Sequence, residues 1–413
     1  MNKTVPSARF ITAYIALCIL LHNPHNAWAG DKSSDTSQPP PQTFGNFLVS
    51  SGLKLEQHYT TNIHASAQNE KNDLVTTLTP TLAVQKNVRD HEFTFEASAP
   101  IKKHLETHEE DTVDAHVSLS ALVTAKRSLK LPISISYDKA YISRHEDTSL
   151  ITPLKPIQTR RRRIEGGFIY APNRLHIQLI GHYTQERFKN GTSSNGNAII
   201  YTDDDHNNAG LHTKISYHTA SIVSPFLAFK THKANFLRAS YNGTSFNGNK
   251  RDHRYGAALA GINFDTGTLS GHIAAGYNML RYGDNALEDL SALQLSANLD
   301  WKPVERSNIA LTLSRTAMEN SIIESAYIET TANAMLRYEV RNDLALNTGA
   351  TFSHHNYTSG RDDMIYEGQA GMDYTLNTAI QAHANVTSRK RNSDVQNEDY
   401  LVNTIMVGIT GSL

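Results

Sequence analysis

The sequence predicts an all-β fold: a transmembrane antiparallel up-and-down β-barrel of about 18 strands, with 16 to 18 as the range. Three observations carry this expectation. From Leu48 onward, segments of about ten residues alternate apolar and polar side chains. The connections between them alternate short and long, and an apolar run near the N-terminus is too short to be a membrane helix.

The N-terminal run is justified first. Lys3 and Arg9 precede an apolar stretch from Phe10 to Leu21, which ends before Asn23-Pro24 and Ala27-Trp28-Ala29-Gly30. A basic start, a short apolar centre and small residues at Ala27 and Ala29 make residues 1–29 an expected signal peptide, cleaved before Gly30. A membrane anchor is the alternative, but about 12 apolar residues fall short of the ~20 a helix needs. A lipid-modified Cys18 fits less well, because bulky Leu17 precedes it. Residues 30–46, with Pro39-Pro40-Pro41, read as a flexible periplasmic segment, and residues 47–413 as the barrel. The expected location is the bacterial outer membrane.

Composition alone resembles a soluble domain, with 39% hydrophobic residues and a mean hydropathy of -0.44. A barrel reconciles this with a membrane, since apolar residues are needed only at alternate strand positions. Cys18 is the only cysteine and lies in the segment expected to be removed, so the mature chain has neither disulfide nor thiol chemistry. A net charge of -1 excludes a strongly basic nucleic-acid binder.

Along the chain the alternation recurs. Leu78, Leu82 and Val84 oppose Thr77, Thr79 and Thr81; Phe93, Phe95 and Ala97 oppose Thr94, Glu96 and Ser98. Leu131, Ile133 and Ile135 oppose Lys130, Ser134 and Ser136, and Leu293, Leu295 and Leu299 oppose Gln294, Ser296 and Asp300. A charged polar face suits a water-filled interior and not a packed core. Ser221 to Lys230 and Tyr255 to Phe264 lack one clean parity.

Short turns are expected at Lys86–Asp90, Ala171–Arg174, Asp265–Gly267, Lys302–Arg306, Arg341–Asp343 and Thr375–Asn377. Long connections are expected at Asn62–Asn72, Arg144–Thr159, Glu186–Asn208, Thr231–Arg254 and Thr387–Asp399. Outer-membrane barrels keep short turns periplasmic and long loops outside. The last strand, with Leu401, Ile405, Val407 and Ile409 on one face, is similar to the C-terminal targeting strand read by the barrel assembly machinery, although it ends on Leu413 and not on an aromatic residue.

Parity sends Arg160 and Arg162 of the Arg160-Arg161-Arg162-Arg163 run outward, toward lipopolysaccharide phosphates of the outer-membrane lipid. It sends Arg161 and Arg163 inward. With Glu96, Lys214, Asp300, Arg337 and Glu339 they form the expected lumen charge, mixed in sign and without a lined aromatic track. Asp203-Asp204-Asp205 reads as a hydrated acidic loop, since it lacks the glycine and terminal glutamate of a calcium loop. The histidines, including His176, His182, His212, His383 and His354-His355, form no metal-binding spacing. No nucleophile motif such as Gly-x-Ser-x-Gly occurs, so no catalytic residue, metal or cofactor is assigned and the chain is not expected to be an enzyme.

The residues also resemble the type 2 family of β-barrel porins, often encoded among exopolysaccharide synthesis and export genes. The resemblance runs through Thr61-Asn62-Ile63, Asp73, Thr79-Pro80, Asp300-Trp301-Lys302-Pro303, Arg315, Glu319, Tyr338-Glu339, Arg361-Asp362, Tyr374, Asn377, Arg389, Tyr400 and Asn403. It implies a channel for secreted exopolysaccharide or capsular polysaccharide, acting with periplasmic and inner-membrane export proteins. A general or solute-uptake porin is the alternative, followed by an outer-membrane enzyme or a structural, adhesin-like barrel.

Overall fold

Alternating segments become strands because a strand presents successive side chains to opposite faces, so one face meets lipid and the other water. The computed structural model describes residues 42–142, 144, 153–193, 195–219, 221–241, 245–246, 248–319 and 326–412. The expected signal peptide, with Ala27 and Ala29, and residues 30–41 lie outside them.

The chain forms β1 (Phe47–Thr60), β2 (Asp73–Val88), β3 (His91–Ser98 and Ile101–His104), β4 (Thr112–Val113 and Ala115–Lys126), β5 (Leu129–Tyr141) and β6 (Gln158–Tyr170). There follow β7 (Leu175–Phe188), β8 (His206–Tyr217), β9 (Val223–Phe236), β10 (His253–Asp265), β11 (Leu269–Tyr282) and β12 (Leu290–Trp301). The set ends with β13 (Ser307–Glu319), β14 (Ala326–Arg341), β15 (Leu344–Tyr357), β16 (Asp362–Asn377), β17 (Ile380–Ser393) and β18 (Tyr400–Ser412). Each strand pairs antiparallel with the next. β18 returns to β1 from Gly52↔Ser412 to Thr60↔Thr404, which closes an 18-strand barrel. Closure removes both sheet edges, so every strand has a partner on each side, as a bilayer requires.

The outer face is apolar. Leu53, Leu55, Val117, Leu119, Ile133, Ile135, Leu227, Phe229, Leu293, Val386 and Val407 are exposed large hydrophobics. The inner neighbours of these positions are polar over most of the barrel. β9 and β10, whose parity is ambiguous in the sequence, are regular strands. Their inward residues Phe226, Ala228, Tyr255, Ala257 and Leu259 are themselves apolar and buried, so both faces read as hydrophobic.

Connections after Val88, Lys126, Tyr170, Tyr217, Asp265, Trp301, Arg341 and Asn377 span two to five residues and lie at the end where the chain enters β1 and leaves β18. The long connections are at the other end. Three bulges, at Thr124/Lys126, Glu339/Arg341 and Thr375/Asn377, adjoin short turns. Thr375–Asn377 is therefore not the turn itself, which is Thr378-Ala379. Gly267, at φ 87°, makes the tight turn between β10 and β11, where its N–H donates to the Asp265 carboxylate at 2.8 Å.

The expected long loops are too long in the sequence reading. β9 continues to Phe236 and β17 to Ser393, so Thr231 and Thr387 lie within strands. The cause is chemical: the upper inward positions His232, Arg389 and Arg391 are polar and look like loop, yet find partners inside the barrel.

Candidate pore and its rims

The inner wall has two sectors of different character. Along β14–β18 and β1–β7, inward charges pair with opposite charges on their own strand or on strands one or two away. Arg337 meets Asp373 at 2.6 Å, Arg389 meets Glu367 at 3.0 Å, and Arg161 meets Glu186 at 2.9 Å. Arg163 meets Glu165 at 2.5 Å, while Glu56 lies 2.9 Å from Lys54 and 3.5 Å from His383. The cost of holding charge away from bulk water is offset by pairing and by residual hydration.

Along β8–β13 the interior is filled with side chains. Phe226, Ala228, Tyr255, Ala257, Leu259, Ala274 and Leu280 form one buried cluster, with Tyr282 against it. Polar groups reach across it: the Tyr255 hydroxyl lies 3.1 Å from Thr316 Oγ1, three strands away, and Lys214 donates to Asn263 at 3.1 Å. Lys214 also sits 4.1 Å from the Phe226 ring centroid, so this expected lumen charge is buried in the wall.

Rings line this sector, contrary to the expectation of no aromatic run. His232 stacks on Tyr255 at 4.8 Å, and His253 meets His232, Phe236 and Tyr282 between 5.8 and 6.1 Å. They pack on one another and are mostly buried, so they thicken the wall and offer no open stacking surface. Parity could have found them, since His182, His232, His253 and Tyr255 all fall on inward positions. Gly210 makes the fit possible: it stands in register between His182 and His232, and a Cβ there would come within 2.5 Å of the His182 ring.

Of the other charges expected in the lumen, Glu96, Asp300 and Glu339 occupy inward positions and are exposed; Asp300 and Glu339 adjoin short turns, and Glu96 lies midway along β3. The cations Arg161, Arg163 and Arg337 are paired. The unpaired charge at the short-turn mouth is thus acidic among these candidates.

At the long-loop end the polar residues are knitted together. Arg144 Nε donates to both Glu110 oxygens at 3.0 and 3.1 Å, its Nη1 donates to Pro153 O at 2.7 Å, and His64 lies 3.4 Å from Glu110. Burial pushes the Glu110 carboxyl up, but His64 and Arg144 outweigh it and hold the pKa below the ordinary value of 4.5. Asp203 and Asp204 are buried, which corrects the hydrated-loop expectation. Asp204 pairs with Arg251, which also lies 3.3 Å from Glu319. Burial nevertheless raises the Asp204 carboxyl against the charge of Arg251. Asp203 accepts the Tyr241 N–H at 2.9 Å, and Asp205 the Phe188 N–H at 2.7 Å. Among the described residues no group of three His, Cys, Asp or Glu could hold a metal ion.

Several residues that carry the family resemblance meet at this end. Asp73 accepts N–H groups of Leu74, Leu105, Glu106 and Thr107 between 2.7 and 3.2 Å. Asn62 Nδ2 donates to Ser66 and Leu401 carbonyls, Thr61 and Asn403 exchange backbone and hydroxyl hydrogen bonds, and Arg361 clamps Asp363 at 2.7 and 3.0 Å. These residues hold loops to strands. Arg315 is on the outer face, donating to Thr330 at 2.8 Å.

On the outer rim, Arg160 and Arg162 are exposed and face outward from β6. Lys139 and Arg187 stand directly beside Arg160 on β5 and β7.

A family described as "Putative beta-barrel porin 2" matches residues 37–413, the whole barrel included. The chain belongs to this family. It is an outer-membrane β-barrel of the porin kind, and its family is one of porins and not of enzymes. Among solved structures, the copper transporter OprC aligns over 90% of this chain and 81% of its own at 9% identity with a TM-score of 0.52, a likeness of fold. OccK2 (OpdF) of Pseudomonas aeruginosa aligns over 88% of this chain and 98% of its own at 10% identity, with a TM-score of 0.49. No curated protein matches the chain.

Proposed function

We propose that this porin-family barrel is a conduit for an exported polysaccharide. The observation that carries the reading is the paired, two-signed charge along β14–β18 and β1–β7, where among the described residues the inward rings Tyr327 and Tyr357 are buried against each other and present no open ladder. Such a wall stays hydrated and grips a neutral or weakly charged polymer at no single point, because its fixed charges are screened over ~8–10 Å at physiological salt. The resemblance to barrels encoded with polysaccharide genes supplies the cargo, and periplasmic export proteins would deliver it to the short-turn mouth. At the outer rim, Arg160 and Arg162 are assigned to lipopolysaccharide phosphates. A deletion strain should lose surface polysaccharide and regain it on complementation. Unchanged surface polysaccharide, together with rapid swelling of protein-loaded liposomes in small sugars, would instead establish a solute-uptake porin.

A further inference from the structure

On the lipid-facing side of β9, β10 and β11, three cations stand in one row. Lys233 is directly opposite Arg254, and Arg254 is directly opposite Arg281. All three are exposed. Directly opposed side chains on adjacent strands lie about 4.5–5.5 Å apart at Cβ, and like charges there repel. Among the described residues none of the three has an acidic partner. The nearby acids are engaged elsewhere: Asp252 pairs with Lys250 at 2.9 Å and accepts the Phe236 N–H at 2.7 Å. Asp284 accepts N–H groups of Lys250 and Ala286, and Asp289 that of Tyr282. A repulsive row without internal compensation suits an external anion.

The surface on the membrane side of the row defines what kind of anion fits. Outward positions of β10 below Arg254 are Gly256, Ala258 and Ala260, and a Cβ at Gly256 would meet nothing within 4 Å. On either side stand larger groups, Leu227 and Phe229 on β9 and Tyr277 and Met279 on β11, with Ala275 leaving the β11 side open beside Ala260. Ala258 lies in register with both Phe229 and Tyr277. The floor is therefore low and the walls are high, a shallow apolar trough leading down from three guanidinium and ammonium groups. The Lys139–Arg160–Arg187 row lacks this form: Arg187 spends its donors on His206 O and Asn207, and bulky Ile164 lies below.

We propose that Lys233, Arg254 and Arg281 bind the phosphate of a phosphorylated, multiply acylated lipid of the outer leaflet, with one acyl chain lying in the Gly256-Ala258-Ala260 trough. Arginine forks match phosphate oxygens in bidentate fashion, and charge-assisted bonds of this kind are the stronger class. The inference rests on the long-loop end facing the outer leaflet and is independent of what passes through the lumen.

The test uses the full chain in a non-ionic detergent, with native mass spectrometry reading retention of bisphosphorylated lipid A and of its dephosphorylated form. The wild type should hold the phosphorylated lipid and release the dephosphorylated one. The triple variant Lys233→Gln/Arg254→Gln/Arg281→Gln should retain one phosphorylated lipid fewer than the wild type, any lipid held at the Arg160–Arg162 rim remaining, and Ala258→Trp, which fills the trough, should weaken that binding with the charges intact. Lys233→Arg should retain it. Heat-modifiability on gels reports folding, and the single Arg254→Gln replaces the triple variant if that fails to assemble. Equal retention of both lipids, or loss in Arg160→Gln/Arg162→Gln with the triple variant unchanged, would overturn the assignment. Surface labelling of the long loops separates a wrong site from a wrong orientation.

Discussion

At the scale of single residues, the strongest energetic commitments are buried ion pairs at the long-loop end. Arg144 and Glu110 are only 6% and 4% exposed, so removing one leaves an uncompensated charge in a site that water scarcely reaches. Arg144→Ala should cost about 3–5 kcal/mol of local stability, seen as faster proteolysis of the adjoining loops while the strands stay protected. Glu110 sets a pH window for the same contact. Its folded pKa lies below 4.5, so it contributes stability above that value and loses it as pH falls through the lower folded value. Loop proteolysis should therefore accelerate on acidification below about pH 4.5 in the wild type. In Glu110→Gln that acid step should be absent; an identical pH profile in both proteins would show that the carboxylate is not the group that matters. Arg163 differs, because its partner Glu165 is partly hydrated. Arg163→Ala should shift single-channel conductance modestly and leave export intact.

At the scale of strands, orientation dominates. Ile133 is 47% exposed on β5, and Leu179 and Leu295 occupy the same outward face of β7 and β12. Replacing any of the three by Arg should cost about 2–4 kcal/mol where the position lies near the midplane, read as reduced heat-modifiable barrel on gels. Exchange among Leu, Val and Phe should be tolerated. On the inner face of β8, Gly210→Val should separate His182 from His232 and destabilise the filled sector, since neither ring can withdraw without losing its packing. The check is a lower temperature of barrel unfolding in detergent, with a smaller drop for Gly52→Val on the paired-charge side, where a Cβ meets only the Thr81 hydroxyl at close range. An equal drop at the two positions would deny the filled sector any special packing.

At the scale of the whole barrel, the two ends differ in both length and chemistry. An epitope tag inserted after Asn195 should be reached by antibody on intact cells, whereas one after Asn342 should need permeabilisation. The reverse labelling would invert the topology. Asp300 and Glu339 by the short turns, with Glu96 farther in, add exposed acidic charge to the lumen against the inward Lys130, and an excess of one sign concentrates counter-ions. Planar-bilayer reversal potentials should therefore show a mild cation preference that declines in Glu96→Gln/Asp300→Asn/Glu339→Gln and fades at high salt. An anion preference in the wild type would mean that the paired arginines govern permeation.

The period-two alternation, the alternating connection lengths and the family motifs determined the barrel class, its strand number and its membership, because a lipid-facing strand must carry its pattern in the local sequence. The facing of Arg160 and Arg162 against Arg161 and Arg163 is likewise a local matter of parity. Tertiary structure decided what parity cannot express. Both faces of β9 and β10 read as apolar, and only the packing of Phe226, Tyr255 and Leu280 shows that one of those faces fills the interior. Asp203 and Asp204 look like solvated loop acids until Arg251, remote from them in sequence, is folded against them. The row Lys233, Arg254 and Arg281 is invisible along the chain for the same reason: its members lie on different strands, and their opposition depends on a register that only the closed sheet fixes.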